Sequence, residues 1–274
     1  MALTHYPDVG LHPEDALGTK GTRVTLSREP NGKAILFVHG YGGSAINTWK
    51  RFDKMLLGER GFEGYDFFFY GYDGRYSTTE FSAGILCAFL DRLFRQPFSI
   101  IGPLVPITAA GRDLDGFRYQ QVILAAHSLG AVICRRCLLS AHRKGHDWPS
   151  RTSMVLYAPA HKGARVSELL RMADGFLGYL VTSARYNSPL IDELAPDSDA
   201  LKTLLAQTIE TTSSGDARFL VAQKVAIAER EKIVVNLRFG NDPEPTPFPG
   251  SDHCSVCKPN DKFVAPLDLL KNAI

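Results

Sequence analysis

Residues 126 to 130 read Ala-His-Ser-Leu-Gly, set between the apolar run Val122-Ile123-Leu124-Ala125 and the helix-forming stretch Ala131 to Leu139. A serine at the tip of a sharp strand-to-helix turn is lifted clear of its sheet, and the strain of that turn demands small residues two positions to either side. Gly130 satisfies the demand, and Ala126 adds one methyl group where the motif usually carries its first glycine. Ser128 is therefore a candidate nucleophile.

A serine hydroxyl is weak at neutral pH, so it needs a base to take its proton and a carboxylate to orient that base, in the chain order serine, acid, histidine. His253 is the last histidine and follows the Pro-rich segment Asn241 to Gly250, which can bend back over a sheet edge. It is the candidate base. His161, in Ala158-Pro159-Ala160-His161-Lys162-Gly163, is its rival; His127 should point away from the hydroxyl and pack against neighbouring elements, His39 should brace the loop after its strand, and His5, His12, His142 and His146 read as surface residues. The acid belongs in Ala228-Glu229-Arg230-Glu231-Lys232-Ile233-Val234-Val235, where Glu229 and Glu231 compete and either could instead pair with a neighbouring cation on the surface.

Charge that develops on a tetrahedral oxygen needs preoriented donors. The backbone N–H of Leu129, just after Ser128, supplies one, and that of Tyr41, in His39-Gly40-Tyr41-Gly42-Gly43-Ser44, is the best source of a second. Gly40, Gly42 and Gly43 would let backbone approach a substrate closely. The loop lacks the Gly-Lys-Ser/Thr ending and the GxGxxG spacing of nucleotide sites.

Together these motifs resemble the α/β-hydrolase superfamily, in particular its lipase-like serine esterase branch, over about Lys33 to Pro259. The shared features are a His-Gly-x-Gly-Gly loop, an elbow, and an Asp-His-x-x-Val/Ile-x-Lys-Pro ending, present here from Asp252 to Pro259. The resemblance implies Ser128 as nucleophile, His253 as base and Tyr41 and Leu129 as oxyanion donors. It favours Glu231 over Glu229, because an acid commonly precedes a Lys/Arg-Val-Val-like run in these enzymes. The activity implied is hydrolysis of carboxylic esters, including lipid-like or hydrophobic acyl esters, without metal or organic cofactor. Thioesterase, amidase and acyltransferase chemistry use the same residues, and a silent binding or scaffold protein is the reading from another class.

Positioning such residues requires alternating strands and helices. Strands are expected at Thr22–Ser27, Ala34–Val38, Tyr65–Tyr70, Gln121–Ala126, Ser153–Tyr157 and Phe219–Ile227, and helices from Asn47 as N-cap to about Leu57, over Ser77–Phe94 and over Leu129–Ala141. This order predicts an α/β fold, a mainly parallel central sheet with helices on both faces. Residues 1 to 20 read as an irregular lead-in, and Asn241 to Gly250, rich in proline, as a loop too short of donors to be a strand. Helical segments at Val166–Leu180 and Asp199–Ile209 make an excursion, approximately 165 to 210, where a cap or lid would sit within a single domain spanning 1 to 274. The apolar stretches Pro97–Ala110 and Phe176–Leu194 either line an acyl pocket or pack in the core.

Bulk composition narrows the partners. The chain has 274 residues, 45% hydrophobic and 22% charged, with a formal net charge of +2 from 31 basic and 29 acidic residues dispersed along it. That lacks the basic stripe needed to neutralise nucleic-acid phosphates. No run of about 18 apolar residues is present, and no signal-like leader opens the sequence, so the expected location is the cytoplasm. Five cysteines fit a reducing compartment better than a complete disulfide framework. The pairs Cys134/Cys137 and Cys254/Cys257 have CxxC spacing, but the first is equally explained by one buried helical face.

Overall fold

The computed structural model describes residues 5–11, 21–104, 116–165, 167–171, 189–215 and 217–274. Its strands are β1 (Val9–Gly10), β2 (Arg23–Thr25), β3 (Lys33–Val38), β4 (Tyr65–Tyr70), β5 (Gln121–His127), β6 (Thr152–Tyr157), β7 (Lys224–Ala228) and β8 (Thr246–Phe248). They form one sheet in the order β1-β2-β4-β3-β5-β6-β7-β8. The first two strands run antiparallel to their neighbours and every pairing from β4 to β8 is parallel. The carboxyl ends of six strands therefore meet along one edge, where loops after a parallel sheet bind ligands.

Helices fill the crossovers, α1 (Phe52–Leu57), α2 (Thr79–Arg95), α3 (Phe98–Ile101), α4 (Leu129–Arg143), α5 (Pro189–Glu193) and α6 (Asp199–Ser213), and α7 (Ala265–Lys271) follows β8. Successive side chains of a strand point to opposite faces, and the aromatic run of β4 shows both being covered. Phe69 stacks on Phe37 of β3, which in turn meets Trp49 and Phe52 of the α1 segment, whereas Phe68 and Tyr70 meet Phe89 of α2. All residues of β4, β6 and the last five of β3 are buried, as a doubly covered parallel sheet requires. α2 begins on Thr78, whose hydroxyl accepts the Phe81 N–H.

Four expectations need correction. The first helix starts at Phe52, after Arg51 and with no side-chain cap; Lys50, at φ +51°, interrupts it, and Asn47 lies in preceding turns. The strand expected at Phe219–Ile227 is a 3-10 turn at Arg218–Leu220 followed by β7. The Pro-rich loop contains β8, with Pro247 opposite Ile227; proline is tolerated there because β8 is the last strand of the sheet among the described residues, and an edge strand can spare a backbone donor. His5 is buried, its Nε2–H donating to the Tyr65 carbonyl at 2.8 Å and its ring stacked on Phe67. In the excursion, residues 167–171 are helical and α5 and α6 follow, while 166 and 172–188 lie outside the described residues, as do 105–115, His12 and most of the lead-in.

A buried ionic cluster ties the helix after Ser128 to the loops of β6, β7 and β8. Arg135 of α4 donates to the carboxylate of Asp242 at 2.6 Å, to the Leu220 carbonyl and to His161 Nε2 at 3.2 Å, with its guanidinium over the Phe239 ring. The other Asp242 oxygen accepts the Ala222 N–H at 2.8 Å. Removing one partner of such a pair strands the other charge in the interior. Arg135→Leu is expected to lower unfolding free energy by about 3–5 kcal/mol in urea titrations, and Arg135→Leu/Asp242→Leu to lose less than Arg135→Leu alone.

Candidate active site

Ser128 stands between β5 and α4 at φ +54° and ψ −120°, a backbone conformation that L residues rarely adopt. The surroundings hold it there. Its N–H donates to the Tyr157 carbonyl at 3.0 Å, and its own carbonyl accepts from Ala131 at 3.1 Å and Ala160 at 3.2 Å. A Cβ on Gly130 would come within 2.4 Å of the Val38 oxygen and 2.5 Å of the His39 oxygen, so only glycine fits. Ala126, by contrast, is fully buried in register with Val38 and Leu156, where its methyl group is accommodated.

His253 follows β8 and is reached through a loop pinned at several points. Ser251 Oγ donates to the Phe248 carbonyl at 2.7 Å, Arg230 N–H donates to the Ser251 carbonyl at 3.0 Å, and the Asp252 carboxylate accepts from Cys254 N, Ser255 N and Ser255 Oγ. His127 Nε2–H donates to the His253 carbonyl at 2.8 Å, and the two rings lie 4.8 Å apart. His127 is thus packed against the base rather than aimed at the hydroxyl. Sequence reasoning missed this contact, since nothing in the chain reveals which backbone a histidine beside the serine will meet. Burial, reinforced by the nearby His253 ring, pushes its pKa far below the ordinary histidine value, so it donates as a neutral ring.

The structure brings Ser128, His253 and Glu231 into one hydrogen-bonded line. Ser128 Oγ lies 3.1 Å from His253 Nε2, and His253 Nδ1 lies 2.9 Å from a Glu231 oxygen, with both acid and imidazole side chains almost wholly buried. An ionised carboxylate only accepts, so the proton sits on Nδ1 and leaves Nε2 to accept from the serine. The other Glu231 oxygen accepts the Ile233 and Val234 N–H groups at 2.8 and 3.1 Å. Burial opposes ionisation of Glu231, but the histidine and these two donors outweigh it and hold the carboxyl below its usual range. Glu229 does not reach His253; it is exposed and accepts the Gly250 N–H at 2.8 Å. His161 is buried against Arg135 and Phe239, and it is His253 that contacts Ser128.

The glycine loop leans on the elbow. A Cβ at Gly40 would sit 2.8 Å from Ser128 Cβ, which brings the backbone around Tyr41 beside the serine. Leu129 opens α4, and the first N–H groups of a helix have no acceptor within it. His39 braces the loop: Nδ1–H donates to the Gly40 carbonyl at 2.9 Å, the ring stacks on Tyr72, and Tyr72 OH donates to the His39 carbonyl at 2.8 Å. Burial drives its pKa down to about 4, so it too is neutral. A cleft of about 260 Å³ opens beside these residues, lined by Gly40, Tyr41, Gly42, Gly43, His127 and Cys254 among others. In the described parts of the apolar stretches Ile100, Ile101, Leu104, Leu190 and Leu194 are core residues, whereas Phe98 is exposed; 105–110 and 176–188 lie outside the described residues.

Among solved structures, the chain is similar to the mature form of a Bacillus licheniformis lipase (15% identity, 98% of each chain covered, TM-score 0.55). It is also similar to 2-hydroxy-6-oxo-6-phenylhexa-2,4-dienoate hydrolase from Rhodococcus sp. strain RHA1 (11% identity, 98% of this chain and 99% of that one, TM-score 0.56). No family model and no curated protein sequence matches it. The chain has the α/β-hydrolase fold. No helix among the described residues is long and apolar enough to cross a membrane.

Because the folded Glu231 carboxyl is more acidic than an unfolded glutamate, of pKa about 4.3, its stabilisation is fully present above that value and is lost as pH falls toward the folded one. The stability advantage of wild type over Glu231→Gln, followed by urea unfolding, should be constant from about pH 6 upward and shrink as pH drops below about 4. An advantage that grows on acidification contradicts the assignment of charge.

Proposed function

We propose that the chain is a serine hydrolase that cleaves carboxylic esters through an acyl-serine intermediate. The observation that carries this reading is the Ser128 Oγ to His253 Nε2 contact of 3.1 Å, backed by Glu231 at 2.9 Å from Nδ1. In this reading His253 takes the Ser128 proton as Oγ bonds to the acyl carbon, and the carbonyl oxygen gathers negative charge opposite the Leu129 and Tyr41 N–H groups. The C–O bond to the alcohol then breaks and His253 returns the proton to the leaving oxygen. Water, deprotonated by His253 in turn, attacks the acyl-serine and frees the acid. Glu231 keeps the imidazole in the required tautomer and stabilises the imidazolium without taking its proton. A hydrophobic or lipid-like acyl group belongs to this reading, and a series of p-nitrophenyl esters of increasing chain length measures it.

An alkyl fluorophosphonate should label the native protein at Ser128 and leave Ser128→Ala unlabelled; absence of labelling under conditions that label a known serine hydrolase would sink the proposal. With p-nitrophenyl butyrate, Ser128→Ala is expected to lose about 10⁶-fold in kcat and Glu231→Ala about 10⁴-fold. Glu229→Ala should stay within about threefold of wild type, as exposed residues outside the reacting line do. Gly40→Ala drives a methyl group against Ser128 and shifts the donor loop, with an expected loss of about 10²-fold in kcat and a smaller change in KM.

A further inference from the structure

The Ile233 and Val234 N–H groups let Glu231 stay charged, and the chain that carries those two donors is itself held from one side. The Ile233 carbonyl accepts the Arg165 N–H at 2.7 Å, the Val235 N–H donates to the Gly163 carbonyl at 3.0 Å, and Ala164 pairs antiparallel with Val234. Residues 158–165, which leave β6, also reach the nucleophile. Ser128 N–H donates to the Tyr157 carbonyl at 3.0 Å, Ala160 N–H to the Ser128 carbonyl at 3.2 Å, and Gly163 N–H to the Ala160 carbonyl at 3.0 Å. One short stem therefore runs, by backbone hydrogen bonds, from the turn that presents the hydroxyl to the turn that presents the carboxylate.

Glycine is what lets the stem take this path. Gly163 stands at φ +100°, a conformation that L side chains rarely adopt, and a Cβ there would lie 2.5 Å from Pro196 Cα and 2.7 Å from Pro196 N. Both are backbone atoms, so no change of rotamer relieves the contact. The chain returning after α5 backs the stem at a second point, where the Ala164 N–H donates to the Leu194 carbonyl at 2.8 Å. Ala164 is fully buried. A displacement of Gly163 away from Pro196 is therefore passed to Ile233, Val234 and Val235, whose backbone is bonded to the stem. We propose that Gly163 is a positioning residue for the catalytic acid: by passing against Pro196 it sets where the stem meets residues 233–235, and so where the Glu231 carboxylate stands relative to His253. The inference rests on the serine-hydrolase reading of Ser128, His253 and Glu231. Gly163 acts through Glu231, which lies 2.9 Å from His253 Nδ1. A displaced carboxylate orients the imidazole less well and stabilises the imidazolium less, which lowers kcat and leaves substrate binding in place.

The test is a double-mutant cycle followed with p-nitrophenyl butyrate. Gly163→Ala, which drives one methyl group against Pro196, is expected to lose about 10²-fold in kcat with KM within about threefold of wild type. In a Glu231→Ala background the same substitution should cost less than about threefold, because the group through which it acts is gone. A second pair of variants disturbs the same junction without adding bulk. Arg165→Pro deletes the N–H that bonds the Ile233 carbonyl, and Arg165→Ala keeps it. Ala164, as a β-bridge residue, tolerates a proline after it. The kcat of Arg165→Pro should fall about tenfold below that of Arg165→Ala, and this difference too should vanish in the Glu231→Ala background. Urea unfolding shows whether Gly163→Ala is folded, and if it is not, the Arg165 pair decides. A folded Gly163→Ala with wild-type kcat, a loss confined to KM, an Arg165→Pro as fast as Arg165→Ala, or losses that persist in full without the Glu231 carboxylate overturn the positioning role while leaving ester hydrolysis standing. No turnover by wild type, together with no fluorophosphonate labelling of Ser128, overturns the hydrolase reading and the positioning role with it.

Discussion

The backbone turn at Ser128 is the constraint on which the rest of the structure depends. A serine at φ +54° is unfavourable in isolation, and such strain persists only when the surroundings over-determine it. Here β5 fixes the approach, α4 fixes the departure, and three backbone hydrogen bonds fix the residue between them. The cost is steric as well. Gly130 must pass against the carbonyls of Val38 and His39, and Gly40 must lie against Ser128 Cβ, so β3 and β5 have to be neighbours in register before the turn can close. Strand order and the position of the hydroxyl are thus one problem with one solution.

A second requirement follows from burial. The side chains of His253 and Glu231 are almost removed from water, so each polar atom of the line needs a partner within the protein. Ile233 and Val234 supply the backbone donors that let Glu231 stay ionised, and His127 anchors the carbonyl of His253. Further along α4, Arg135 and Asp242 solve the same problem with full charges. Their pairing joins the helix begun by Ser128 to the segment that leads into β8 and His253. Buried ion pairs often contribute no more stability than a hydrophobic contact of similar volume, and the distinctive contribution of this one is direction, since a guanidinium with several fixed donors admits few arrangements of its neighbours.

Much of this was legible in the chain because it rests on local rules. The run Ala34 to Val38 and the aromatic Tyr65 to Tyr70 declare buried strands, and the elbow sits between a strand pattern and a helix pattern. His253 was nominated by its place in the chain order, but Glu231 was separable from Glu229 only by a resemblance, because spacing along a chain does not say which side chain turns inward. Arg135 carries a fainter signal. It falls three residues from Val132 and Leu138, on the apolar face of α4, where an unpaired arginine would be intolerable. Its partner Asp242 is more than a hundred residues away in sequence, beyond the reach of any periodicity.

The misreading of the Pro-rich segment shows where local rules give way to the sheet. A proline removes a donor, which argues against a strand with neighbours on both sides but not against the last strand of a sheet. Among the described residues β8 has only β7 beside it, so Pro247 can face Ile227 without interrupting a second ladder. The same residue protects the open edge, since a strand lacking a donor is a poor template for another chain. The short ladder to Ala226 and Ala228 also carries the chain to the carboxyl edge of the sheet, so that Phe248 delivers Ser251 and His253 alongside the turn after β7 that holds Glu231. Had residues 246–248 remained an unpaired loop, the 3.1 Å contact of the imidazole with the hydroxyl would depend on backbone without ladder hydrogen bonds to fix it.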